Sequence, residues 1–291
     1  MMREERREVL GDVNLAKGEK GQMKKFIRSM FGVGIVFLTF SGGSSSFGAV
    51  AFSDNFNSYV TSSNLVGQGG WLQTGATATT PIQVVTPGRA QLGTSGQDVY
   101  EAFGSPTVNA DGTSLYYGLT LNVISAQAAG DYFIHLTDPV GGSSLFYNRL
   151  YVKSSGAGFL LGFAETSGTG FTTNYGSTVF STATDYQIVV AQHFIAGAGN
   201  DTFSVYVNPT DAVELNNTAE ITKTWGTAST ETNIYYEISL RQGAAGGAPA
   251  VYVDNLIVSQ TFSDMVIPEP STIALVGIGV AGLFAVRRRR S

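Results

Sequence analysis

Between residues 52 and 265 the chain alternates apolar and polar positions. In "SLYYGLTLNV" (114–123) the side chains of Tyr117, Leu119, Leu121 and Val123 fall on one side, and Tyr116, Gly118, Thr120 and Asn122 on the other. That period of two is what a strand with one buried face requires. "NIYYEISLRQ" (233–242) reads the same way, with Ile234, Tyr236, Ile238 and Leu240 expected inward and Tyr235, Glu237, Ser239 and Arg241 outward. Further short runs are "GGWLQT", "PIQVVT", "DVYEAF", "DYFIHLT", "LFYNRLYVK", "GFLLGFAET", "DYQIVVAQHFI", "DTFSVYVN" and "AVYVDNLIVSQ", separated by clusters of Gly, Asn, Asp and Ser. No segment sustains a helical period. About a dozen strands on this spacing exceed a minimal sandwich and predict an all-β, two-sheet jelly roll. Nothing resembling a linker divides the segment, and "GAAGGAPA" (243–250) is expected to be a hairpin loop.

The two ends follow different rules. Residues 23–51 place Lys24, Lys25 and Arg28 before an apolar stretch from Met30 to Phe40, followed by small residues up to Ala49 and Ala51. This is the three-part layout of a secretory signal peptide, with cleavage by signal peptidase expected after Ala51 and Gly48 as the second choice. Residues 1–22 carry mixed charge ahead of that layout and read as an extension of the gene model, with Met23 as the true start. At the other end, residues 266–291 read "VIPEPSTIALVGIGVAGLFAVRRRRS". The apolar run from Ile273 to Val286 makes a helix of roughly 21 Å at ~1.5 Å per residue. That is short against a hydrocarbon core of about 30 Å, although flanking residues and snorkelling arginines extend it to a marginal span. Arg287, Arg288, Arg289 and Arg290 resist translocation and are expected to stay cytoplasmic, with the preceding domain outside.

Triplet, apolar helix and basic terminus, in that order, resemble the PEP-CTERM sorting signal of Gram-negative bacteria. The resemblance implies an exosortase as partner and Pro268, Glu269 and Pro270 as its recognition residues. Two prolines bar helix and sheet around Glu269 and leave an extended strip for an enzyme to grip. A second resemblance covers the strand-rich segment. "LFYNRLYVKSSGAGFLLGFAE", "AGAGNDTFSVYVNP" and "AVYVDNLIV" are similar to LamG-like, concanavalin-type jelly rolls of exported bacterial proteins. That fold implies pairing of the first and last strands, "FSDNFNSY" beside "VYVDNLIV", and carbohydrate or surface-polymer binding in many members with catalysis in some.

Charge narrows the partners. Residues 52–267 hold five Lys or Arg against sixteen Asp or Glu, a net charge of −11. Phosphate polymers are repelled by such a surface, which argues against nucleic acid. The chain contains no cysteine, which removes disulfides, thiolate metal sites and cysteine nucleophiles.

Few residues suggest chemistry. The Glu-x-Asp-x-x-Glu strand motif of jelly-roll glycosidases is absent, and Glu101, Glu165, Glu231 and Glu237 each stand alone locally. His135 and His193 are expected to be structural, on the same sides as Phe133 and Ala191 respectively. Tyr147, Arg149, Tyr151 and Lys153 alternate onto one face of "LFYNRLYVK", and aromatics beside hydrogen-bonding groups suit sugar rings. Asp54 and Asp254, with Asn55 and Asn255, would meet at the jelly-roll closure as a candidate calcium site or as turn-capping residues. No other cofactor is expected. The whole reads as an exported, exosortase-processed protein of the cell surface or extracellular matrix, non-catalytic and structural, adhesive or polysaccharide-binding. The alternative is a carbohydrate-active enzyme on the same fold.

Overall fold

A computed structural model describes residues 50–75, 80–138, 145–166, 172–226, 231–243 and 246–266. The N-terminal extension, the signal segment up to residue 49 and the sorting segment from residue 267 lie outside the described residues. Among the described residues sixteen strands form: β1 Val50–Asp54, β2 Ser63–Asn64, β3 Leu72–Thr74, β4 Gln83–Val85, β5 Arg89–Leu92, β6 Asp98–Val108, β7 Ser114–Ser125, β8 Asp131–Thr137, β9 Phe146–Ser155, β10 Gly158–Thr166, β11 Asn174–Tyr175, β12 Asp185–His193, β13 Thr202–Val207, β14 Ile221–Thr224, β15 Ile234–Leu240 and β16 Ala250–Ser259. Helical structure among the described residues is confined to two 3-10 turns, Glu214–Asn216 and Phe262–Asp264.

The strands make two sheets. One has nine strands in the order β14-β13-β12-β7-β16-β5-β4-β2, with β1 also pairing to β16; the other has seven in the order β11-β10-β9-β8-β15-β6-β3. The expected closure is present: β1 runs antiparallel to β16, with Phe52 opposite Val258 and Asp54 opposite Leu256. The chain passes between sheets at β2 to β3, β3 to β4, β5 to β6, β6 to β7, β7 to β8, β11 to β12, β14 to β15 and β15 to β16, the repeated crossing of a two-sheet jelly roll. The segment 243–250 therefore does not close a hairpin. It joins β15 in one sheet to β16 in the other, because each of these strands already has partners within its own sheet.

The inner faces meet in one core. From the nine-stranded sheet come Tyr117, Leu119, Leu121 and Val123 of β7, as the alternation requires, and from the seven-stranded sheet Phe159, Leu161 and Phe163 of β10. Each such side chain contributes about 1.5–3 kcal/mol on full burial. A chain of hydrogen bonds links four polar side chains inside this core. Tyr235 Oη and Asn148 Nδ2 both donate to Gln192 Oε1 at 2.7 and 2.8 Å, and Gln192 Nε2 donates to Asp201 Oδ2 at 3.0 Å.

Alternation fails where a strand bulges. Where β6 advances from Thr107 to Ala102 against Tyr235 to Glu237 of β15 the register slips, and there Tyr235 is fully buried in the core and Tyr236 only half-buried, the reverse of the expected assignment. In β8 the register with β9 shifts around Ile134. Phe133 and Ile134 both face the core, and His135 turns to the other side, against Tyr132 and Phe146. An extra residue in one strand reverses every side chain beyond it, which composition alone does not announce.

The outer face of the nine-stranded sheet carries a second, small cluster. Tyr116, Val189, Ala191 and Tyr206 are covered by Phe262 and Met265 from the segment that follows β16. Phe262 meets both tyrosines edge-on, at 5.5 and 5.3 Å between ring centres. Gly118 makes room for this strap, since a Cβ there would lie 2.9 Å from Met265 Sδ.

Candidate functional site

The outer face of the seven-stranded sheet gathers rings and cations. Strand β9 starts it. Asn148 has φ +51 and breaks the strand's period, so Tyr147 faces inward, packed on Trp225 and Tyr235, while Arg149, Tyr151 and Lys153 face outward. The four-residue stripe expected from "LFYNRLYVK" is thus divided: three of its members share the outer face and Tyr147 belongs to the core.

Neighbouring strands complete the face. Opposite Arg149 and Tyr151 on β10 stand Ala164 and Gly162, small residues that leave space above the sheet. Tyr175 of β11 fills part of it; a Cβ on Gly162 would lie 2.6 Å from the Tyr175 ring. From β8 come Tyr132, paired with Tyr151, and His135. Arg149 lies between two rings, its guanidinium carbon 5.2 Å from the centre of Tyr132 and 5.4 Å from that of Tyr151. Lys153 Nζ sits 4.0 Å from the centre of Tyr175, and Arg241, just past β15, reaches Tyr132 at 4.2 Å. Such contacts are worth about 0.5–2 kcal/mol each and hold the cations in place.

The electrostatics of this face are cationic. Burial and the nearby charges of Arg241 and Arg149 push His135 down to about 3, so it is neutral at pH 7, and its Nδ1 has no hydrogen-bond partner. Arg241 is neutralised by Asp131 at 2.7 Å, with Asp98 at 3.9 Å. Arg149 donates to the Thr166 carbonyl through Nη2 and leaves Nε without a partner.

Three other clusters stand elsewhere. On the outer face of the nine-stranded sheet, Ser114 Oγ lies 2.8 Å from His193 Nδ1 and His193 Nε2 lies 3.0 Å from Glu214 Oε1. The types are those of a hydrolytic triad, but both Glu214 oxygens also accept from tyrosines, Tyr116 at 2.7 Å and Tyr206 at 2.8 Å. The carboxylate thereby ties the 3-10 turn to the sheet. Between the sheets at the far edge, Lys223 pairs with Glu165 at 2.6 Å, almost wholly buried.

The third cluster is a cleft of about 510 Å³ beside the closure, lined by Asp54, Tyr59, Gly69, Glu101, Asn255 and others. Asp54 is fully engaged: Oδ2 accepts from Tyr59 Oη at 2.6 Å and Trp71 Nε1 at 2.7 Å, and Oδ1 from the Phe56 amide at 2.8 Å. Asp254 accepts from the Asn255 amide at 2.7 Å and lies 3.8 Å from Arg89 Nε. Donors surround both carboxylates, a setting unlike the all-oxygen shell that calcium takes. Among the described residues no three metal-binding side chains converge. Glu101, which stands alone in its stretch of sequence, joins this cleft through the fold. Burial and the charge of Asp54 raise it to about 7, and its Oε2 has no hydrogen-bond partner.

Among solved structures, the chain is similar to the CBM2 module of an evolved Dit protein of Lactobacillus casei BL23 phage J-1. Identity is 10%, 74% of this chain and 96% of that one are covered, and the TM-score is 0.47. It is also similar to the carbohydrate recognition domain of Emp47p, at 13% identity over 76% and 100% of the two chains with a TM-score of 0.43. A β-1,3-glucanase from Mycobacterium marinum matches at 8% identity over 72% and 99%, with a TM-score of 0.44. Comparison with curated proteins gives no match.

Pro268, Glu269, Pro270 and Arg287 to Arg290 lie outside the described residues, and among the described residues no helix is long and apolar enough to cross a membrane. Their sequence is nonetheless matched, for residues 266–290 fit the model of the PEP-CTERM protein-sorting motif, so the chain is a two-sheet jelly roll that carries an exosortase sorting signal at its C-terminal end.

Proposed function

We propose that this protein is a non-catalytic component of the cell surface or extracellular matrix that holds polysaccharide on the outer face of its seven-stranded sheet. The sorting motif implies export and processing by an exosortase at the envelope. The binding reading is carried by one observation: rings and cations drawn from β8, β9, β11 and Arg241 just past β15 converge on a single sheet face. Sugars present apolar C–H faces fringed by hydroxyls, and tyrosine rings beside N–H donors match both. The test is retention of the full chain on a polysaccharide panel, with products assayed in the same samples. Binding without release of reducing or unsaturated ends is the expected result. Failure to bind any member would overturn the reading.

A second reading, a carbohydrate-active enzyme, is favoured by Glu101. A carboxyl raised to about 7 in an open cleft beside another carboxylate has the protonation a general acid needs near neutral pH. Product release by the wild-type chain that disappears in E101Q would establish it.

A further inference from the structure

Resting on the polysaccharide-binding reading, we propose that the outer face of the seven-stranded sheet selects an acidic polysaccharide, with Arg149 and Lys153 each taking the carboxylate of a uronate residue. Five cations serve the whole of residues 52–266. Three are spent on ion pairs: Arg89 with Asp185 and Asp254, Lys223 with Glu165, and Arg241 with Asp131 and Asp98. Among the described residues Arg149 and Lys153 have no carboxylate partner, and both are partly exposed. In a segment of net charge −11, the two uncommitted cations project from the same side of the same strand.

Their setting suits capture of an anion better than stacking of a neutral sugar. The guanidinium already occupies the faces of Tyr132 and Tyr151, and the ammonium occupies that of Tyr175. Both tryptophans, which give the largest stacking surfaces, are buried: Trp71 is fully enclosed and Trp225 is 2% exposed. What remains for a ligand is the outward N–H donors of two positioned, partly exposed cations; the unpartnered Arg149 Nε is itself buried beneath them. Charge-assisted hydrogen bonds of this kind are the strong ones.

Spacing makes the ligand a polymer. Four residues along a strand separate the two cations by about 13 Å, too far for one carboxylate to bridge. Of the acids near the patch, Asp131 and Asp98 are held by Arg241, and Glu237, on the same face of β15 as Ser239, is fully buried. At physiological salt, charges farther than about 8 Å are largely screened, which limits the reach of the acidic surface elsewhere. It still disfavours a densely charged chain. A polymer with uronates separated by neutral sugars fits best.

The experiment titrates the full chain with hyaluronan, in which glucuronate alternates with a neutral sugar, with the same polymer after reduction of its carboxyls, and with dextran. Affinity is expected to fall about tenfold on carboxyl reduction and on raising salt from low to high, and K153Q is expected to weaken hyaluronan alone by several-fold. A melting curve for K153Q, whose side chain is partly exposed, confirms that it folds, and R149K, which keeps the charge but loses the planar fork, is the second variant. Equal binding of native and carboxyl-reduced polymer, or preference for dextran, would overturn the acidic selectivity while leaving polysaccharide binding intact. Binding of none of the three, together with none of the wider panel, would overturn both.

Discussion

Glu101 and His135 are carboxyl and imidazole groups forced away from their usual protonation, and they pull stability in opposite directions with pH. The Glu101 carboxyl is raised from 4.5 to about 7, so the folded state holds this proton more tightly than the unfolded chain does. Its contribution is complete below pH 4.5 and is lost as pH rises through 7. His135 is lowered from 6.5 to about 3, so the unfolded chain takes up its proton first. Its contribution is complete above pH 6.5 and is lost as pH falls toward 3. Urea unfolding between pH 4.5 and 7 should therefore show E101Q losing less stability than wild type as pH rises. H135N should lose less as pH falls below 6.5. A third residue-scale effect concerns Gly162, where an added Cβ meets the Tyr175 ring at 2.6 Å. G162A should cost about 1–3 kcal/mol by overpacking and should move Tyr175 out from under Lys153, weakening hyaluronan binding together with stability.

At the scale of elements, the strap after β16 is the part most open to a clean test. Phe262 is nearly buried against Tyr116 and Tyr206, and it is held by a short segment rather than by a sheet. Truncation of a buried Phe costs about 3–5 kcal/mol where the whole fold depends on it. Here the loss should stay local: in F262A, hydrogen exchange at residues 260–266 should rise sharply while β7 and β12 keep their protection. Strand existence was readable wherever alternation was long. β7 appears where period two placed it, β8, β10 and β12 coincide with short apolar runs between turn clusters, and "FSDNFNSY" does meet "VYVDNLIV". The bulges at Asn148, Ile134 and Tyr235 were not readable, because a bulge is a relation between two strands and a single strand's residues do not reveal it. The same limit explains the site. Arg149 and Tyr151 lie in one run and could be picked out together, whereas Tyr132, Tyr175 and Arg241 reach them only through sheet order, and Tyr147 left the group through the bulge. Two-residue strands such as β2 and β11 carry no period to detect.

The whole molecule joins two messages that share no residues. Its ends specify travel, through a signal-peptide layout and a matched sorting motif, and its middle specifies a sandwich with one cationic face on an acidic body. The strap brings the chain to residue 266 while still packed on the nine-stranded sheet, and the sorting motif begins at that residue. In sequence the Pro-Glu-Pro triplet begins two residues after Val266, and the cationic patch lies on the other sheet. Trimming of the sorting segment is accordingly expected to leave polymer binding unchanged. The most direct test of export, processing and polysaccharide retention together is the intact mass of the protein recovered with the producing cell's extracellular polysaccharide. The account predicts a polymer-associated species lacking both the signal segment and Ile273 through Arg290; a polymer-free species in the inner membrane that retains both ends would contradict it.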